Sequence, residues 1–226
     1  MYILNIETST KNCSVSLAKN GKTILCKELS EAGFSHAEQL HVFIEEILFE
    51  CKITFKDLSA VAVSKGPGSY TGLRIGVSAA KGLCFALDIP LISIDTLEIL
   101  SRQININNGL IIAMIDARRM EVYSAIFDEH YNTIRTVEAQ ILDENSFSDY
   151  SATMYFIGDC NEKARTVLTK SNFIFIDDKL YPSSNEMSLL SFNKFQNQEF
   201  EDLAYFEPFY LKDFLMTTSK KSTTNQ

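Results

Sequence analysis

Short apolar runs at residues 2 to 7 and 13 to 18 have the length and β-branched character of strands. The Asn20-Gly21 pair before Thr23-Ile24-Leu25-Cys26 predicts a two-residue hairpin turn, because both turn positions need positive φ. Three strands therefore open the fold. Ser35 is placed to cap a helix from about His36 to Cys51, with Glu38 completing a capping box. In that helix Leu40, Phe43, Ile44, Ile47, Leu48 and Cys51 recur at three- and four-residue spacing and form one buried stripe, while Val42 and Phe49 fall on the opposite face.

A second apolar run, Ala60 to Val63, reads as a buried strand. It leads through the glycine-rich stretch Lys65-Gly66-Pro67-Gly68-Ser69-Tyr70-Thr71-Gly72 into a nearly all-apolar helix ending near Leu87. On that helix Arg74, Ser78 and Lys81 share one narrow sector, and Gly72, Gly76, Ala79 and Leu83 make a small-residue stripe along which another backbone could approach. The two helices are thus expected to face both the core and a second subunit, with Val42, Phe49, Leu73, Gly76, Ala80 and Leu83 as interface candidates.

Further on, Ile89-Pro90 ends the helix, Leu91 to Ser93 reads as a strand, and Asp95 can cap a helix to about Arg102. Strands are expected at Leu110 to Ile115, Arg119 to Phe127, Thr133 to Leu142, Tyr155 to Ile157 and Phe173 to Ile176, and helices at Asn161 to Thr169 and Asn185 to Phe195. The pattern is that of an α/β protein. Asn105 to Gly109 marks a boundary, giving a first lobe over 1–104, a smaller second lobe over 105–211 and a disordered tail over 212–226. No tandem repeat is visible.

Composition narrows the function classes. A formal charge of −8 over 226 residues, without a long run of like charge, gives no footprint for nucleic acid or anionic membrane, so tRNA binding by the isolated chain is expected to be weak. Five cysteines without a C-x-x-C pair suit a reducing cytoplasm, and no signal peptide or membrane-length apolar segment is seen.

Candidate chemistry concentrates in turns. Gly66, Gly68 and Ser69, at the start of a helix, could offer backbone N–H groups to an anion or form only a tight structural turn. A Walker lysine is missing, since Leu73 and Arg74 follow Gly72. The turn Ile6-Glu7-Thr8-Ser9-Thr10 is similar to the phosphate-binding Asp-x-Gly-Thr turn of actin-like and sugar-kinase ATPases, but carries Glu for Asp and Ser for Gly. His36 and His41 are five apart and do not share a helix face, and the hairpin Asp116-Ala117-Arg118-Arg119-Met120-Glu121 reads as a charged solvated turn.

In order, Ile6 to Thr10, Cys13-Ser14-Val15, Phe34 to Glu38, Lys65 to Val77, Ala80 to Leu83, Ile89-Pro90-Leu91, Asp116 to Arg119 and, more loosely, Glu207 to Leu211 resemble the bacterial TsaB/YeaZ family. Tyr70 stands where phenylalanine is more usual. The resemblance implies a two-lobed actin-like, sugar-kinase-like (ASKHA) fold with a reduced second lobe. It also implies a part in making N6-threonylcarbamoyladenosine in tRNAs that read codons beginning with A. By that resemblance the chain is a non-catalytic scaffold for a TsaD-like transferase, working with a TsaE-like ATPase. It meets tRNA mainly through the complex and self-associates through the same patch when the partner is absent. ATP and metal are then expected on the partner subunits and no cofactor on this chain, because Thr96 and Leu100 stand where catalytic relatives carry a metal-binding His-x-x-x-His. An ATP-dependent phosphotransferase and a glycoprotease-like metallopeptidase are the alternatives.

Overall fold

The computed structural model describes residues 1–30 and 36–212. The first sheet is built from β1 (Tyr2–Glu7), β2 (Cys13–Lys19), β3 (Lys22–Leu29), β4 (Leu58–Gly66) and β5 (Leu91–Asp95), in the order β3-β2-β1-β4-β5. Asn20 and Gly21 turn β2 into β3 with φ of 51° and 80°, the geometry that the hairpin signal demanded. β1 runs antiparallel to β2 and parallel to β4, so the apolar Ile3, Leu4 and Ile6 are buried on both faces of the sheet.

One face of this sheet is covered by α1 (His36–Glu50) and α2 (Tyr70–Leu87). Leu40, Ile44, Ile47 and Leu48 of α1 meet Val77, Ala80 and Cys84 of α2 over Leu4, Val15, Val61 and Val63. Each such leucine or isoleucine contributes about 1.5–3 kcal/mol by leaving water. The other face is covered by α5 (Met187–Gln196), whose Met187 and Leu190 pack on Ile3, Ala60, Ala62, Ile92 and Ile94.

The second sheet is formed by β6 (Leu110–Asp116), β7 (Glu121–Asp128), β8 (Thr133–Ile141), β9 (Met154–Ile157) and β10 (Phe173–Ile176), in the order β10-β9-β6-β7-β8. β6 is antiparallel to β7 and parallel to β9, which repeats the arrangement of β1, β2 and β4. The two lobes therefore share one topology, a repeat that the sequence does not show. The helix after each lobe's last strand crosses to the other lobe: α3 (Thr96–Ser101) places Leu97 and Leu100 against Ile111, Ala113 and Ile115, while α5 serves the first sheet. The result is a two-lobed α/β fold of the actin-like, sugar-kinase-like class.

This crossing corrects the expected division at 105–211, because α5 and the segment after it belong to the core of the first lobe. Ser184 and Ser183 bond to Ser14, and Glu201 N donates to Leu91 O at 2.9 Å. The second lobe's helical layer is thin. The expected helix at Asn161 to Thr169 is reduced to α4 (Asn161–Ala164), closed by turns through Leu168. Ser35, the expected cap of α1, and residues 213–226 of the expected tail lie outside the described residues. Lys212, at the start of that tail, is not loose: it pairs with Glu121.

Candidate functional site

β1 ends at Glu7, and the turn that follows packs directly under the start of α2. The Ser69 amide donates to Ser9 O at 2.6 Å, Ser69 Oγ accepts the Gly72 amide at 3.3 Å, and Thr8 Oγ1 donates to Gly72 O at 2.7 Å. A Cβ on Gly68 would overlap Ser9 O, one on Gly72 would overlap Thr8 O, and one on Gly76 would overlap Thr8 Oγ1. The glycines are required for close approach, and the backbone they admit is the chain's own first turn.

Several amides of these turns are engaged within the chain. Ser9 N is held by the Glu7 carboxylate at 2.5 Å, Asn12 N by Thr10 Oγ1 at 3.4 Å and Ser69 N by Ser9 O. Gly66, with φ of 117°, is closed over by Phe209 O, whose own amide donates to Lys65 O at 2.7 Å. Of the anion-turn candidates, Gly66 and Gly68 are packed against this chain's own carbonyls and Ser69 is hydrogen-bonded within it. Among the described residues no group of three His, Cys, Asp or Glu side chains is placed to hold a metal, and Thr96 and Leu100 are buried in α3. Asp95, expected as a cap, makes no cap bond and pairs with Lys65 at 3.1 Å instead.

Glu7 itself is fully buried, and its Oε2 has no hydrogen-bond partner among the described residues. Burial, only partly offset by its contacts with Ser9 and Ser64, pushes its pKa up to about 7.

The interface candidates divide sharply. Val42 and Phe49 are exposed, Phe49 to 84%. Leu83 is half-buried against the first-lobe core. Leu73, Gly76 and Ala80 are buried, so their expected place at a partner surface is corrected: their stripe meets Thr8 and the sheet. The expected polar sector of α2 is also partly covered. Lys81 Nζ donates to Phe206 O at 2.9 Å and Ala204 O at 3.2 Å, and Arg74 donates to the Tyr210 hydroxyl at 3.2 Å while lying 4.1 Å from the Tyr70 ring centroid. These contacts bind a strap, residues 201–212, along α2.

The sequence reading missed Phe85, which is 82% exposed. Its signal was available: Arg74, Ser78, Lys81 and Phe85 follow one another at four-, three- and four-residue steps, so an apolar residue continues the solvent stripe. With Val42 and Phe49 it gives the outer face of α1 and α2 three exposed large apolar side chains on the same side of the first sheet.

In the second lobe the hairpin topologically equivalent to the Glu7 turn joins β6 to β7. Asp116, the counterpart of Glu7, is exposed and pairs with Lys163, and its amide donates to Asp159 Oδ1 at 2.9 Å. Burial raises the pKa of Asp159.

Comparison with known proteins gives a consistent set of relatives. A family model described as TsaD, tRNA N6-adenosine threonylcarbamoyltransferase, matches residues 30–218. The tRNA threonylcarbamoyladenosine biosynthesis proteins TsaB of Bacillus subtilis and Escherichia coli are 36% and 35% identical over 127 and 136 residues, which is 56% and 59% of this chain and 55% and 58% of theirs. The tRNA N6-adenosine threonylcarbamoyltransferase of Bacillus thuringiensis is 39% identical over 107 residues, 41% of this chain and 31% of its own length. The matches to the two TsaB proteins thus span little more than half of their length. Among solved structures, YeaZ from Pseudomonas aeruginosa superposes with a TM-score of 0.80 at 24% identity, covering 93% of this chain and 99% of that one. The ethanolamine utilization protein EutJ from Carboxydothermus hydrogenoformans superposes with a TM-score of 0.50 at 11% identity, covering 84% and 90%.

Proposed function

This chain belongs to the TsaD family of tRNA N6-adenosine threonylcarbamoyltransferases, and on that premise we propose that it is a non-catalytic scaffold subunit in the synthesis of N6-threonylcarbamoyladenosine on tRNA. Its role is to bind and support a TsaD-like transferase, in concert with a TsaE-like ATPase, and tRNA is held mainly by the assembled complex. ATP and metal reside on those partners.

The observation that carries this reading is the outer face of α1 and α2. Val42, Phe49 and Phe85 expose large apolar surface on rigid helices, and a helix pair of the same kind on a related subunit would bury it. The same face would join two copies of this chain when the transferase is absent. The turns support the reading from the other side, because the amides of Ser9, Asn12 and Ser69 are hydrogen-bonded within the chain and are not offered to a phosphate. A metallopeptidase lacks a ligand set among the described residues.

Reconstitution tests the proposal directly. Threonylcarbamoylation of tRNA by the transferase and ATPase is expected to require this chain, while this chain alone modifies no tRNA and hydrolyses no ATP. Modification undiminished without the chain, or ATP turnover by the chain alone, would overturn it.

A further inference from the structure

The β6–β7 hairpin carries Arg118 and Arg119 at its tip, both exposed and both in the left-handed region, with φ of 74° and 54°. A charged turn of this kind ordinarily neutralises itself through local ion pairs. Here it does not. The acid nearest in sequence, Asp116, is taken by Lys163 and by the Arg118 amide at 3.1 Å, and Glu121 is taken by Lys212. Lys163 also donates to Arg119 O at 2.9 Å and Glu121 O at 2.6 Å, so one ammonium pins both arms of the turn. Among the described residues neither arginine joins an ion pair.

The first lobe adds a cation at the same end of the molecule. Lys11, exposed on the turn between β1 and β2, acts electrostatically on Asp159, the residue that receives the Asp116 amide. Lys11 on the β1–β2 turn and Arg118 and Arg119 on the equivalent β6–β7 turn thus lie toward the same end of the two lobes. Of these cations Arg118 and Arg119 join no ion pair among the described residues, while Lys11 faces Asp159.

We propose that Lys11, Arg118 and Arg119 form a contact surface for the phosphodiester backbone of RNA, used when the chain sits in its complex. The inference rests on the proposed function, which brings tRNA to the assembly. Guanidinium groups suit it because they bind phosphate oxygens in a bidentate fork, and a pinned backbone limits the freedom lost when they do. The contact positions RNA without reading sequence, as phosphate contacts do. It supplies little affinity to the isolated acidic chain.

The test is a titration of fluorescent tRNA against the reconstituted complex over a range of salt, comparing wild type with R118E/R119E and K11E. A double charge reversal at the far end of the first lobe, K22E/K56E, controls for net charge. The expected result is a loss of about tenfold or more in affinity for R118E/R119E, with a salt slope smaller in magnitude by about 1 to 2, and a smaller loss for K11E. Equal losses in the control, or wild-type binding by R118E/R119E, overturn the inference. So does a loss confined to ATP binding with tRNA affinity intact. Co-elution with the transferase is scored separately. Failure of wild type to co-elute overturns the proposed function, whereas co-elution with wild-type tRNA affinity in R118E/R119E overturns this inference alone.

Discussion

The amide of Ser69, at the entrance to α2, donates to the carbonyl of Ser9 in the first turn at 2.6 Å. This bond ties together the two stretches whose sequences resemble phosphate-binding turns, and it takes the Ser69 amide out of the set of donors that such binding uses.

The close approach makes Gly76 a folding residue. Gly76→Val is expected to cost about 1–3 kcal/mol, because its side chain meets Thr8 Oγ1 inside a packed core. Gly76→Ala is expected to be relieved by Thr8→Ala, and a double-mutant cycle in urea will show coupling between them. Additive effects would remove the contact from the argument.

The outer face of α1 and α2 gives the complementary experiment. Phe49→Glu and Phe85→Glu are expected to leave monomer stability within about 0.5 kcal/mol, since both rings are more than four-fifths exposed. Each is expected to weaken co-purification with the TsaD-like transferase and to abolish any dimer of this chain. Sedimentation of the variants alone and mixed with the transferase measures both.

Glu7 predicts how stability responds to pH. Its pKa rises from the ordinary 4.5 to about 7 on folding, so the native state holds its proton more tightly than the unfolded chain. The associated stability is complete below about pH 4.5 and is lost as pH rises through about 7. Between about pH 5 and pH 8 this loss is on the order of 2–3 kcal/mol. Glu7→Gln keeps an acceptor for the Ser9 amide without the buried charge. It is therefore expected to flatten the decline and to exceed wild-type stability at the higher pH, as read by urea unfolding at both values. An unchanged slope would falsify the assignment.

Lys163 is predicted to set the order of the β6–β7 hairpin. Lys163→Met removes the donor to Asp116, Arg119 O and Glu121 O, and is expected to cost about 1–2 kcal/mol. Because the turn carries Arg118 and Arg119, the loosened hairpin becomes a preferred trypsin site. Mass spectrometry of a timed digest is expected to show cleavage there in the variant before the wild type.

Sequence alone determined the local elements. Short apolar β-rich runs identified the opening strands, three-to-four spacing identified α1, the apolar run after the glycine-rich stretch identified α2, and Asn20-Gly21 fixed the hairpin between β2 and β3, because these signals depend on side-chain character and φ within a few residues. The glycine stretch was also correctly seen as a place of close backbone approach. What approaches it was decided by tertiary structure. The partner of Gly76 is Thr8, distant in the chain, and no spacing rule within α2 distinguishes an internal neighbour from a second subunit. The same limit misplaced α5, which belongs to the first sheet because its Met187 and Leu190 fill the face that α1 and α2 leave uncovered. Burial decides the rest. Phe85 and Leu73 are both apolar residues on one helix, and only the packing of α2 against β1 and β4 makes the first a surface and the second a core.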